Sequence, residues 1–194
     1  MKTLIKLALG LVAIVGVAVL ATQFLPSHWQ VKRSIVIHVS PIYIFPRLVL
    51  YRGGWEHWCT LDAEDLATVY TFSGPYASVG AARAWTSASM GHVYQKFLAA
   101  DTVKGVDLEL NLEDRHLPML GHFRFEPRGH DTLLTWTMEG DLGRDPRLRL
   151  QGLLMESTLG GMMESSLGNL KAILDREALA RALKAKKAGA KGKP

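Results

Sequence analysis

From Leu4 to Leu25 the chain is almost unbroken hydrocarbon, with Lys2 and Lys6 at its start and Pro26-Ser27-His28 after it. At a rise of about 1.5 Å per residue, a run of that length makes a helix close to the thickness of a bilayer core. Residues 1–27 are therefore expected to form a single transmembrane anchor. A cleaved signal peptide is the alternative, because Val19-Leu20-Ala21 offers small residues at a peptidase spacing, but signal-peptide cores run to only about 7 to 15 apolar residues. Residues 31–39 are rich in β-branched side chains and predict a strand. Ser40-Pro41 then opens a short helix over 42–50, in which Pro46 marks an end or a kink. Gly53-Gly54 breaks the chain ahead of Trp55 and Trp58, whose spacing places them on one helical face.

From residue 66 the pattern changes to period two, with strands predicted at 67–73, 81–87, 92–100, 106–114, 121–127 and 132–140. Six consecutive strands imply an antiparallel meander. In the clearest of them Val106, Leu108, Leu110 and Leu112 alternate with Asp107, Glu109, Asn111 and Glu113, so one face of the sheet is apolar and the other wet. After Asp145-Pro146 the helical period returns. Leu148, Gly152, Met155, Leu159, Met163, Leu167, Leu170 and Leu174 mark one stripe, with Arg149, Glu156 and Lys171 opposite, which predicts one long helix laid across the apolar face of the sheet. Glycines 152, 160, 161 and 168, together with the methionines, are expected to leave room between helix and sheet. The soluble part, residues 28–178, is long enough for one domain.

The formal charge of +5 suggests a nucleic-acid partner, yet Lys184, Lys186, Lys187, Lys191 and Lys193 account for all of it. With Lys2 and Lys6 also set aside the remainder is slightly acidic, so no face tracks a phosphate backbone and no nucleic acid is expected. Residues 179–194 are expected to form a basic disordered tail, or alternatively to lie against anionic headgroups. Cys59 is the sole cysteine, which excludes an intramolecular disulfide and a cysteine metal cluster. No histidine pair has helical metal-ligand spacing, and the hydrolase, zinc-protease, phosphate-loop and dinucleotide motifs are absent from the sequence, so neither metal nor cofactor is expected.

The order of these pieces resembles the START-like, or SRPBCC, superfamily, and within it the polyketide cyclase/dehydrase-like proteins. The resemblance rests on the strand followed by the Ser40-Pro41 helix, Trp55-x-x-Trp58, the strand end Tyr70-Thr71-Phe72-Ser73-Gly74, Gly80-Ala81 with Ala84-Trp85, and a final helix carrying Met163-Glu164-x-x-Leu167-x-x-Leu170-Lys171. It spans residues 31–177. It implies an α+β helix-grip fold, a curved antiparallel sheet around a long carboxy-terminal helix, here preceded by the transmembrane helix, with a ligand cavity between sheet and helix. Members bind lipids, sterols, hormones or polyketides, and some catalyse cyclisation or dehydration, so the fold does not choose an activity. Cys59-Thr60-Leu61-Asp62 departs from the proline-containing turn of such relatives, and residues 66–72 are abbreviated, both near the cavity mouth.

The residues expected to line that cavity are Trp55, Trp58, Tyr70, Trp85, Tyr94, Leu108, Leu110, Phe123, Met155, Leu159, Met162 and Met163, with Trp136 assigned to the core. His57, Tyr70 and His116 are the candidates for general acid–base chemistry, whereas His122 and His130 are placed toward solvent. The leading expectation is a membrane-anchored binding protein for a hydrophobic small molecule, lipid or polyketide-like. A cyclase or dehydratase using the same cavity is one alternative, and a structural or interaction module with a closed cavity is another. Lys2, Lys6 and the amino terminus orient the anchor with its start inside, which puts the domain on the outer, periplasmic side if the source is bacterial.

Overall fold

A computed structural model of the protein describes residues 2–63, 68–87, 90–115 and 117–191. Among them the period-two segments form strands β1 (His28–Ile37), β2 (Thr71–Ser73), β3 (Ala82–Ser87), β4 (Gly91–Asp101), β5 (Gly105–Leu112), β6 (Leu117–Arg128) and β7 (Asp131–Asp141). They make one antiparallel sheet in the order β1-β7-β6-β5-β4-β3-β2. The expected meander is present, and the first strand joins its far edge against β7. In β5, Val106, Leu108, Leu110 and Leu112 are all buried on the inner face. A bulge in β4 between Phe97 and Ala99 breaks the register with β5, and an extra residue of this kind bends a sheet and increases its twist.

The helices are α1 (Lys2–Thr22), α2 (Pro41–Val49), α3 (Thr60–Ala63), α4 (Pro146–Gly152) and α5 (Met155–Lys191), with a 3-10 turn at Trp55–His57 between α2 and α3. Pro41 opens α2, and Pro46 is accommodated inside it. The last carbonyls of a helix have no intrahelical partner, and here two indoles supply one: Trp58 Nε1 donates to Arg47 O at 3.0 Å and Trp55 Nε1 to Leu48 O at 2.6 Å. The paired tryptophans thus fix the turn after α2 against the sheet, where Trp55 meets Phe123 and Trp136 edge-on.

Helix α5 lies over the inner face, burying Met163, Leu167, Leu170 and Leu174. Polar bonds fasten it along its length. Arg33 of β1 reaches Glu156 at 2.6 Å and Glu164 at 2.5 Å, Thr60 donates from its amide to Ser166 Oγ at 3.0 Å, and Asn169 donates to Trp58 O at 3.3 Å. Lys171 donates to Val36 O at 2.8 Å, and Arg47 pairs with Glu177.

Several expectations are corrected. The single long helix is two, because the chain turns at Leu153-Leu154 after Gly152, with Leu154 N bonded to Gln151 O at 2.9 Å. Arg149, expected on the solvent side, is buried against the end of α1. The glycines do not open the space between helix and sheet: Gly160 instead lets the Arg33 guanidinium lie against α5, where a Cβ would stand 2.1 Å from Nη2, and Gly161 and Gly168 face open space. The expected disordered end is helical through Lys191, in keeping with the good helix propensity of alanine and lysine; residues 192–194 lie outside the described ones. The strand expected at 67–73 begins only at Thr71, and residues 64–67 are likewise outside the described ones.

Helix α1 is 21 residues long. Its described apolar side chains are exposed around its circumference, with Leu11 63%, Val12 68%, Ile14 69% and Val17 67% accessible. Among the described residues no helix is long and apolar enough to cross a membrane.

Candidate functional site

Between the concave face of the sheet and the start of α5 lies a cavity of about 440 Å³, within the range of about 300 to 1,000 Å³ usual for small-molecule sites. Its floor is Leu108, Leu110 and Leu112 of β5 with Leu117 and Met119 of β6. Trp136 and Met138 of β7 form one wall, Trp55 and Leu61 another, and Met155, Leu159 and Met162 of α5 the roof. Gly121 helps to keep it open: a Cβ there would sit 2.8 Å from Leu108 Cδ1 and 3.0 Å from Met138 Sδ, both on lining side chains.

The polar equipment is sparse. Gln95, Gln151 and Thr158 are the polar side chains of the lining, and among the described residues no titratable group belongs to it. Gln95 is held by Arg83, whose Nε donates to Gln95 Oε1 at 2.7 Å from the neighbouring strand. Arg83 is only 2% exposed. Its guanidinium carbon lies 4.8 Å from the ring centres of Tyr51 and Trp85, 5.2 Å from Trp55 and 5.3 Å from Tyr70, where ring faces attract a desolvated cation. Neither Arg83 nor Gln95 is among the residues expected from sequence. A signal was present, since alternation in Arg83-Ala84-Trp85 puts the arginine on the face of the tryptophan.

Of the expected lining residues, Trp55, Leu108, Leu110, Met155, Leu159 and Met162 are at the cavity. The others are displaced for identifiable reasons. Trp58 is turned away by its bond to Arg47, and Phe123 is stacked behind Trp136 with ring centres 4.9 Å apart. Met163 is fully buried among the α5 contacts, one position round the helix from the lining Met162. Tyr70 and Trp85 pack on each other and on Arg83. Tyr94 sits on the outer face, between the buried Val93 and Gln95. Trp136, assigned to the core, also lines the cavity.

The structure does not bring His57 and Tyr70 together at the cavity. The His57 side chain is 58% exposed, 3.9 Å from its neighbour Glu56, and Tyr70 is off the cavity. His116 lies outside the described residues. The charged groups with shifted proton affinity lie elsewhere, on the outer sheet face, at the β4–β5 turn and along α5. Burial pushes the Asp107 carboxyl up, but hydrogen bonds from Arg124 and His122 outweigh it and hold it below the usual carboxylate range. Asp175 is likewise pushed up by burial and pulled lower still by Lys171 and His38.

A curved antiparallel sheet gripping a long carboxy-terminal helix is the helix-grip arrangement. No protein-family model matches the chain, and no curated protein sequence does. Solved structures do. Norcoclaurine synthase from Thalictrum flavum, in a complex with a transition-state analogue, superposes with a TM-score of 0.60 at 12% identity, over 78% of this chain and 96% of the other. A protein from Mesorhizobium loti gives 0.53 at 18% identity, over 76% and 97%. The Aha1 dimer from Colwellia psychrerythraea gives 0.50 at 18%, over 75% and 96%. At such identities the shared property is the fold.

Proposed function

We propose that this chain is a membrane-tethered protein that binds an apolar small molecule, lipid or polyketide-like, in the cavity under α5. The observation that carries the reading is the lining itself, aliphatic and thioether walls with a few uncharged polar groups. Such a site gains affinity from burying apolar surface, at about 25 cal/mol per Å² before ordering costs. It offers no described group to take or give a proton, which supports binding over a cyclase or dehydratase reaction. The open cavity also speaks against a module closed by its own side chains. Norcoclaurine synthase is an enzyme on the same fold, and one fold hosts many activities.

The tether is α1. Its 21 residues span about 31 Å at the α-helical rise, matching a hydrocarbon core about 30 Å thick. In the orientation set by Lys2 and Lys6 the domain lies outside the cytoplasmic membrane of a bacterial source. Holding the domain beside a bilayer keeps it at high local concentration of lipophilic molecules.

Mass spectrometry of lipophilic molecules co-purifying with the full chain from membranes tests the binding. An apolar species near one per chain is expected, and it is expected to vanish in the variant Leu110→Trp, Leu159→Trp, whose indoles fill the cavity. Equal recovery from both proteins, or none from either, overturns the reading.

A further inference from the structure

Buried Arg149 joins α1 to the domain. Its Nη1 donates to Gln23 O at 2.7 Å, Leu25 O at 3.1 Å and Thr22 O at 3.3 Å, while Nε donates to Gly143 O at 2.8 Å. A cation at this end satisfies orphan carbonyls and faces the negative pole of the helix. Gln23 Nε2 adds a bond to Arg144 O at 3.3 Å, and Leu142 N donates to Ser27 O at 2.7 Å. Helix α1 is thus fastened against α4 rather than trailing from the domain.

The cavity is at that same end of the sheet. Strand register sets His28 against Asp141, Met119 against Gly140 and Leu112 against Leu117, whereas the turn between β4 and β5 is at the opposite end. The exposed members of the lining are Gln151, Leu154 and Thr158, all at the elbow between α4 and α5. There Leu150, Leu153 and Leu154 are 52%, 58% and 61% exposed. Arg144 and Arg147 stand exposed beside them, and the neighbouring carboxylates are already engaged, Asp141 with Gly143 N and Asp145 with Arg147 N.

We infer that this elbow sits in the bilayer surface and is the port through which an apolar solute dissolved in the membrane reaches the cavity. The inference rests on α1 as anchor and the cavity as binding site. The occupant of the leucine patch follows from its attachment: α1 exposes aliphatic side chains on all sides, and Arg149 holds the elbow at the point where α1 ends. Leucines toward hydrocarbon with arginines toward phosphate match the boundary between acyl chains and headgroups.

The full chain is reconstituted in phosphatidylcholine vesicles preloaded with palmitate bearing a chain diazirine, flashed with light after seconds, and its adducts are mapped by mass spectrometry. The wild type is expected to carry adducts on α1 and on the cavity peptides. Leu150→Glu, Leu153→Glu, at two exposed elbow leucines that do not line the cavity, is expected to lose cavity adducts by about fivefold or more, as a slowed association would give, while the same probe delivered from cyclodextrin labels both proteins equally. Equal cavity labelling of both proteins from vesicles overturns the port and leaves binding intact. No cavity adduct by either delivery overturns the binding reading and the port with it, and no adduct on α1 overturns the anchor and the port. A second measurement needs no charged variant. An environment-sensitive fluorophore on Leu153→Cys is expected to be quenched by headgroup-level spin-labelled lipid, and one on Val103→Cys, in the β4–β5 turn, by aqueous iodide; quenching of both by iodide alone overturns the port.

Discussion

Arg83 donates from Nε to the carboxamide oxygen of Gln95 at 2.7 Å across strands β3 and β4, on the inner face of the sheet. A buried cation and a buried amide therefore hold each other beside an apolar cavity. Removing the arginine leaves the buried carboxamide oxygen of Gln95 without this donor.

Replacing Arg83 by methionine is expected to destabilise the full chain by about 2 to 4 kcal/mol in chemical denaturation, and to loosen Gln95 at the cavity edge. Arg83→Lys keeps the charge but not the planar group that lies among the rings, and is expected to fall in between. A variant as stable as the wild type would show that the rings and Gln95 do not depend on the guanidinium.

Gly121 lies on the inner face of β6 between two lining side chains. Gly121→Ala is expected to push Leu108 and Met138 into the cavity, at a stability cost of about 1 to 3 kcal/mol. Recovery of the co-purifying apolar species is expected to fall. Unchanged recovery with unchanged melting would mean that the neighbours shift outward instead.

Acidification reads out Asp175, which accepts from Lys171 Nζ at 2.9 Å and from the His38 amide at 3.2 Å. Although burial raises the proton affinity of this carboxyl, its partners lower it more, so the folded state favours the ionised form. The stabilisation is fully present above the unfolded carboxylate value of about 3.9 and is lost as pH falls through the lower folded value. Asp175→Asn is expected to reduce stability at pH 7 and to converge on the wild type as pH falls below the lowered folded value. A gap that persists at low pH would assign the loss to packing rather than charge.

Arg149→Ala leaves the last carbonyls of α1 without their shared donor. Amide exchange over residues 22–27 is expected to accelerate, with global stability reduced by about 1 to 3 kcal/mol. Exchange unchanged over that segment would mean that the bonds through Gln23 and Leu142 suffice.

Strand alternation made most of the fold legible in advance: the β5 pattern appears in the structure from Val106 to Leu112, while Glu113, expected to continue it, begins a 3-10 turn, and the register of the meander follows from the alternation. The cavity floor, Leu108 and Leu110, could be read from the same pattern. What periodicity could not supply was the direction of aromatic side chains. Trp55 and Trp58 share a spacing but divide in role, because one indole bonds Leu48 O at the cavity wall and the other Arg47 O behind it. Nor does polarity along a helix reveal that Arg149 is buried, since three of its four partners are backbone oxygens more than a hundred residues away. Charge ordinarily marks an exposed position, and at Arg83 only the alternation with Trp85 points inward.

Five of the chain's seven methionines, Met90, Met119, Met138, Met155 and Met162, meet in the cavity lining. Thioether chains are unbranched and polarizable, and they re-form around guests of different outline. Selection by exact outline is therefore weak, and a series of homologous guests differing by one methylene is expected to be accepted with little discrimination.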